Sequence, residues 1–309
     1  MGLDIVFMGT PEFAVPALER LCKSPHTVRA VVTAPDRPRG RGHAVQPTPV
    51  ARAAKSLGLE VWKPESVRDE GFLDRLKCTG AHAVALVAYG KIIPPSVLEW
   101  PEFGCINVHP SLLPKYRGAS PIHAPLLHGD STTGVTTMFM DEGLDTGDIL
   151  LQEEIPIEPD DNAGDLHDRL AALGADLLLT TFDGLEQGSL RRVPQDDEKA
   201  TYAPKVVKEQ IRWDMPSTQV AARIRGLSPF PGAYTYMGMA RLKILRAVPG
   251  PLEVSLPPGA VVSLSEDGVV VACKEGSVVI LEAQPEGKSP MTAGEFVRGY
   301  AAQIKAGFA

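Results

Sequence analysis

Residues 83–88 read Ala-Val-Ala-Leu-Val-Ala, six apolar side chains in succession, closed by Tyr89-Gly90. An unbroken apolar run of this length, bounded by a turn, is a strand covered on both faces, so the sheet that holds it needs a layer on either side. The neighbouring sequence supplies those layers. A short apolar run at residues 3–8 ends at Gly9, and a helix follows through Ala17, Leu18 and Leu21, with Pro16 tolerated in its first turn. A strand at 28–33, a Pro/Gly/Arg loop at 35–49, a helix near 50–57, and strands at 105–109 and 134–140 continue the alternation. Strand and helix in turn specify an α/β sheet.

Beyond Pro159 the period changes. Asn162 reads as a helix N-cap, with Asp165 in the first turn. Leu166, Leu170, Leu173, Leu177 and Thr181 recur every three or four residues and form one buried helix face. That helix closes a first domain at residues 1–187. Residues 188–204 are polar and charged, and they read as a linker to a second domain at 205–309. After a helix near 217–225, turn signals at Pro231-Gly232, Pro257-Pro258-Gly259, Asp267-Gly268 and Glu275-Gly276 separate short Val/Leu/Ile-rich runs. Short strands at that spacing suggest a small β-barrel or sandwich. Thr292 and Glu295 fit a capping box that opens a last helix, with Phe296, Tyr300 and Ile304 inward.

A chain of 309 residues accommodates two such domains, and 44% hydrophobic with 22% charged residues is a globular composition. No apolar run approaches the roughly 20 residues of a membrane span. The first nine residues hold Asp4 and lack a basic segment, so they read as a strand rather than a secretion signal. Cys22, Cys78, Cys105 and Cys273 stand far apart with no C-x-x-C pair, which fits free thiols in a reducing cytoplasm. The net charge of −7 is unevenly spread: residues 1–189 carry −10, residues 190–309 carry +3. Within the acidic part, Arg37, Arg39, Arg41, Arg52 and Lys55 face Asp36 alone across residues 36–55, a local +4. That is a solvated loop unless the rest of the chain calls for a polyanion.

Several chemistries lack their residues. Gly9-Thr10-Pro11-Glu12-Phe13 has no G-x-G-x-x-G to cradle a dinucleotide, and Gly40-Arg41-Gly42-His43 has no Lys-Ser/Thr sequel of a P-loop. No H-E-x-x-H and no Cys/His spacing suggests a metal, and no G-x-S-x-G marks a nucleophile elbow.

The informative stretch is Asn107-Val108-His109-Pro110-Ser111-Leu112-Leu113-Pro114. On a strand, Asn107 and His109 project from one face, and Pro110 stops the strand with His109 at its end. Ligands in open α/β sheets bind at such carboxyl ends. Downstream, Asp141-Glu142-Gly143-Leu144-Asp145-Thr146-Gly147-Asp148 is an acidic, glycine-punctuated loop whose Asp145 could reach His109. Each feature alone is consistent with a structural turn.

Together, in order and spacing, N-V-H-P-S-L-L-P at 107–114 and G-L-D-T-G at 143–147 resemble the formyltetrahydrofolate-dependent formyltransferases. F-M-G-T-P-E-F at 7–13, P-D-R-P-R-G-R-G at 35–42, V-A-Y-G at 87–90 and M-D-E-G-L-D-T-G-D at 140–148 resemble the branch acting on initiator methionyl-tRNA. Ser120 stands where that pattern has alanine, and His43 where lysine is common. The resemblance implies a Rossmann-like catalytic domain followed by an OB-like, tRNA-binding domain. It implies formyl transfer from 10-formyltetrahydrofolate to an amine, in the cytoplasm, by a monomeric enzyme with no metal. Asn107, His109 and Asp145 would be catalytic. The folate would lie against Val87, Ala88, Tyr89, Gly90, Lys91, Asp141 and Ser111, Leu112, Leu113, Pro114, although those last four serve equally well as a turn holding His109. Arg37, Arg39, Arg41, Lys205, Lys208 and Arg241 would meet the tRNA.

Formyl transfer passes through a tetrahedral intermediate with an anionic oxygen, for which Asn107 and a protonated His109 would supply donors. Asp145 would raise the imidazole pKa and orient it. The proton of the attacking amine would go to Asp145 or to His109. Sugar-nucleotide or glycinamide-ribonucleotide formyltransferases, a formate-releasing hydrolase and a non-catalytic RNA-binding protein are the rivals.

Overall fold

The computed structural model describes residues 2–39 and 44–309, and at Arg39 and Ala44 the backbone only. Arg41, expected to meet tRNA, and His43 lie outside the described residues. The chain divides into two compact units. Met1–Gly118, Gly134–Ile155 and Asp168–Tyr202 make the first, and Ala119–Thr133, Pro156–His167 and Ala203–Ala309 make the second. The expected linker at 188–204 therefore belongs, up to Tyr202, to the first unit. The physical reason is pairing: Val193 exchanges two backbone hydrogen bonds with Ile149, at 2.8 and 2.9 Å.

The first unit is built on strands β1 (Asp4–Gly9), β2 (Thr27–Val32), β3 (Val61–Trp62), β4 (Ala83–Val87), β5 (Cys105–His109), β6 (Thr132–Phe139) and β7 (Ile149–Pro156). They lie in the order β7-β6-β5-β4-β1-β2-β3. From β3 to β5 the neighbours are parallel, and β6 runs antiparallel to β5. Every residue of β4 is buried, as its unbroken apolar run requires. Because β1, β2, β4 and β5 run the same way, their carboxyl ends, including Val87 and His109, share one edge of the sheet. Helix α1 (Val15–Cys22) carries its proline in the first turn, and α2 (Pro49–Ser56) is capped by Thr48, whose hydroxyl accepts from the Ala51 N–H at 3.1 Å. Within the stretch expected as a loop at 35–49, Arg37–Arg39 and Ala44–Gln46 pair as an antiparallel two-stranded arm. Helix α3 (Glu70–Cys78), short β3 and the edge strand β7 were not legible from periodicity. The edge strand is mostly half-buried or exposed, so its sequence lacks a clear apolar face.

The long helix α4 (Ala163–Glu186) starts as expected, with the Asn162 carboxamide oxygen accepting from the Gly164 and Asp165 N–H groups. Leu166, Leu170, Leu177 and Thr181 are buried along it.

The second unit is a mostly antiparallel sheet. Its strands are β8 (Glu209–Gln210), β9 (Ala233–Met237), β10 (Ala240–Pro249), β11 (Val261–Leu264), β12 (Val269–Ala272), β13 (Ser277–Pro285) and β14 (Met291–Thr292). They follow the order β8-β9-β10-β13-β12-β11, with β14 against β13. The last residues join the two sides of this path. Tyr236 exchanges backbone hydrogen bonds with Ala309, and the Phe308 N–H donates to the Gly259 carbonyl at 2.9 Å. Barrel-like closure of this kind removes exposed edges. Inside lie Trp213 stacked on Phe308, Leu242, Ile244, Val271, Ile280 and Phe296. Each such side chain, fully buried, contributes about 1.5–3 kcal/mol. Helix α5 (Ser217–Leu227) and helix α6 (Ala293–Ile304) cover this core, and α6 has the expected capping box between Thr292 and Glu295.

Candidate active site

Three non-glycine residues among those described have positive φ: Ala88 at 47°, Tyr116 at 62° and Asp145 at 55°. Such conformations cost energy and gather at functional sites. Here they gather around His109. Ala88 follows the end of β4, next to β5. Tyr116 accepts a hydrogen bond through its carbonyl from His109 Nε2 at 3.0 Å. Asp145 Oδ2 stands 3.7 Å from His109 Nδ1. The structure thus brings His109 and Asp145 together, and Asn107 lies two residues back on the same face of β5, half-buried, beside Leu86 and Met138. No hydrogen bond engages the Asn107 carboxamide among the described residues.

The carbonyl of Tyr116 can only accept, so Nε2 carries the imidazole proton and Nδ1 presents a lone pair toward Asp145. Burial sets the charge state. The His109 side chain is 5% exposed, and removal from water pushes its pKa below the ordinary imidazole value. Asp145 and the Tyr116 carbonyl work in the opposite direction but do not reverse it. This corrects the expectation of a raised pKa: proximity to a carboxylate is outweighed by desolvation, and the resting imidazole is neutral.

Asp145 is held from several sides. Its Oδ2 accepts from the Gly118 N–H at 2.8 Å. Upstream, Asp141 organises the loop, accepting from the Gly143 N–H and the Thr146 hydroxyl. Gly147 is obligatory, because a Cβ there would lie 1.9 Å from the Phe139 carbonyl oxygen. The residues expected to be a linker also contribute: Gln195 Nε2 donates to the carbonyls of Asp145 and Gly147, each at 2.8 Å. Sequence reasoning missed Gln195, since a glutamine in a polar stretch carries no periodic signal.

The segment Ser111–Leu112–Leu113–Pro114 is a bonded turn. The Ser111 hydroxyl donates to the Lys115 carbonyl, the Thr136 hydroxyl donates to the Ser111 carbonyl, and the Leu113 N–H donates to Thr136. Ser111 and Leu113 are buried, so of the two roles open to this segment the geometry supports the turn that ends at Tyr116 and seats His109. Among residues 87–91, Val87 and Tyr89 are also buried, Tyr89 with its phenol pKa pushed up to about 12 by desolvation. The Lys91 ammonium donates to the carbonyls of Pro64 and Glu65. What this segment leaves exposed is Ala88 and Gly90.

A cavity of ≈ 460 Å³ opens beside the Asp145 loop, between Pro95, Leu98 and Glu99 on one side and residues 140–143 on the other. That volume is within the ~300–1,000 Å³ of small-molecule sites. Its wall is apolar (Pro95, Leu98, Met140) and its rim carries acceptors (Glu99, Asp141, Glu142). Of the expected folate contacts, Asp141 lines it. Among the described residues no group of three or more His, Cys, Asp or Glu side chains could hold a metal.

Arg37 is exposed on the two-stranded arm. Lys205 and Lys208 are exposed in the second unit and form no salt bridge among the described residues, whereas Arg241 pairs with Glu286 at 3.1 Å and lies over the Tyr234 ring. No helix among the described residues is long and apolar enough to cross a membrane.

Comparison with known proteins adds to this geometry. The family profile described as formyl transferase matches residues 3–182, and that of the formyl transferase C-terminal domain matches residues 205–301. A methionyl-tRNA formyltransferase of Syntrophus aciditrophicus is 49% identical over 302 residues, covering 96% of each chain. That of Pelotomaculum thermopropionicum is 49% identical over 300 residues with the same coverage. Among solved structures, an N-formyltransferase from Helicobacter canadensis, in complex with folinic acid and dTDP-3-aminofucose, has the same fold at a TM-score of 0.64 and 19% identity. It covers 91% of this chain and 99% of its own.

Proposed function

Because the chain belongs to the formyl transferase family, we propose that it transfers the formyl group of 10-formyltetrahydrofolate to the amino group of methionine on initiator methionyl-tRNA. The observation that carries this reading is the 49% identity to relatives bearing that activity in their name, which runs through both units rather than the first alone.

Asn107, His109 and Asp145 do the work. The donor supplies a formyl carbon open to attack, and attack by the amine leaves a tetrahedral intermediate with an anionic oxygen. The uncommitted Asn107 carboxamide donates to that oxygen, an interaction typically worth ~10²–10³ in rate. The amine proton passes to the His109–Asp145 pair, directly or through water. A proton arriving at Nδ1 turns a lone pair facing a carboxylate into an ion pair, so the pair takes up the proton as a unit. The imidazolium then adds its charge to the Asn107 donor in stabilising the intermediate. That intermediate collapses as the bond from the formyl carbon to N10 of the folate breaks; N10 takes a proton back from the His109–Asp145 pair, and tetrahydrofolate leaves. The pterin end of the folate lies in the cavity between residues 95–99 and 140–143, against Asp141 and the backbone at Ala88 and Gly90. Arg37 and Arg39 on the arm, Arg41, Lys205 and Lys208 contact the tRNA phosphates. We infer a cytoplasmic monomer, consistent with four free cysteines.

The test is formyl transfer from 10-formyltetrahydrofolate to charged initiator tRNA, to a sugar-nucleotide amine and to water. Formyl-methionyl-tRNA is the expected product, lost in His109→Ala. Transfer to the sugar alone discards the tRNA reading, and formate release without an acceptor points to a hydrolase.

A further inference from the structure

We propose that Gln195 is a positioning residue for the transfer reaction, acting through Asp145. The inference rests on the catalytic role assigned above to Asp145, and it concerns a segment with no counterpart in the motifs of the resemblance.

Gln195 sits at the junction of the two turns that face His109. Its Nε2 donates to the carbonyls of Asp145 and Gly147, and its Oε1 accepts from Arg117 Nε at 3.0 Å and Nη2 at 2.8 Å. Both donors and both acceptor sites of the carboxamide are in use. Its orientation is also fixed without ambiguity, because a guanidinium has only donors and a carbonyl only an acceptor. Arg117 is in turn immobilised: its side chain is 2% exposed, and Nη2 also donates to Asp197 Oδ1 at 2.8 Å.

The same stretch braces the opposite turn. The Tyr116 N–H donates to the Thr201 hydroxyl and the Arg117 N–H to the Thr201 carbonyl, each at 2.9 Å. The Tyr116 carbonyl accepts from His109 Nε2, and the Gly118 N–H donates to the Asp145 carboxylate. Residues 195–201 therefore tie the turn that orients the imidazole to the loop that presents the carboxylate. Asp145 itself is in the left-handed conformation, which costs energy for a residue with a Cβ even though aspartate tolerates it better than most, and its neighbours help to hold it there. The two donors of Gln195 bracket that residue, one on its own carbonyl and one two residues on.

The experiment uses the full chain in single-turnover transfer from 10-formyltetrahydrofolate to charged initiator tRNA, with thermal melts alongside. Wild type is compared with Gln195→Ala, Asp145→Asn and the double variant. Gln195→Ala is expected to lose ~10–100-fold in rate, the scale of a reacting group misplaced by about an ångström, with KM for both substrates little changed. The double variant is expected to be no slower than Asp145→Asn alone, because Gln195 acts only through that carboxylate. Gln195→Glu keeps Arg117 partnered but cannot donate, so it isolates the two lost donors should the alanine variant unfold, and it is expected to be equally slow. A wild-type rate in Gln195→Glu, or a loss that multiplies in full in the double variant, overturns the proposal. A wild-type rate in Asp145→Asn overturns the catalytic reading itself, and the two failures are thereby told apart.

Discussion

At the scale of single residues, the site is governed by a contest between burial and charge at His109. Desolvation wins, so the imidazole rests neutral and can accept a proton. The sign of the pH dependence follows. A depressed pKa means that the neutral form survives as pH falls through the ordinary imidazole range, and protonation comes only below it. We predict that the His109 imidazole, followed by its ring NMR signals, stays neutral down through about pH 6.5 and takes up a proton only below it. In Asp145→Asn that titration should move lower still, because the carboxylate that favours imidazolium is gone. A midpoint at or above the ordinary imidazole value in wild type would contradict a neutral resting state. Removing the uncommitted donor, in Asn107→Ala, should lower kcat by ~10²–10³ with a smaller change in KM, read by steady-state kinetics.

At the scale of elements, the site is a strand end plus two turns, and its tolerances are those of backbone packing. Gly147 approaches the Phe139 carbonyl too closely for any side chain. Gly147→Ala should cost about 1–3 kcal/mol in a denaturant melt and slow transfer as well, since the same loop carries Asp145. Helix α6 belongs to the second unit and carries none of the residues assigned to the reaction, so it serves as a control: Thr292→Ala removes its cap and should cost about 1 kcal/mol while leaving kcat unchanged. The elements also explain what the sequence could and could not disclose. Asn107 and His109 were legible because strand period and the stop at Pro110 are local rules. Residues 83–88 announced a buried strand for the same reason. The relation of Asp145 to His109 could be anticipated only as reach, since a loop has no period. The bracing by Gln195 was hidden altogether, because it joins positions 50 and 78 residues apart in sequence and uses the residue types that ordinarily mark a linker. The turn at Ser111–Pro114 was ambiguous until its hydroxyl and carbonyl partners were seen to be internal.

At the scale of the whole molecule, charge is distributed against the net value. A chain of −7 carries a cationic arm in its first half and a +3 excess after residue 189. If those cations meet phosphates, KM for tRNA should rise steeply with salt while KM for the folate stays nearly flat. Lys205→Ala with Lys208→Ala should raise KM for tRNA, leave kcat intact and flatten the salt slope by about one per charge removed. Unchanged KM in that variant would remove both residues from the interface. Two of the three tryptophans, one in each compact unit, are enclosed in different ways. Trp62 lies in the first unit edge-on to Phe72 with the Arg75 guanidinium 4.0 Å above its ring, and Trp213 lies in the second, stacked on Phe308 and donating to Thr235. Each half of the molecule thus contains an intrinsic fluorophore in a distinct cage, one beside a cation and one in a sealed aromatic pair. Emission from a variant retaining Trp213 alone would follow melting of the barrel, and one retaining Trp62 alone would follow the catalytic sheet, with no dye attached.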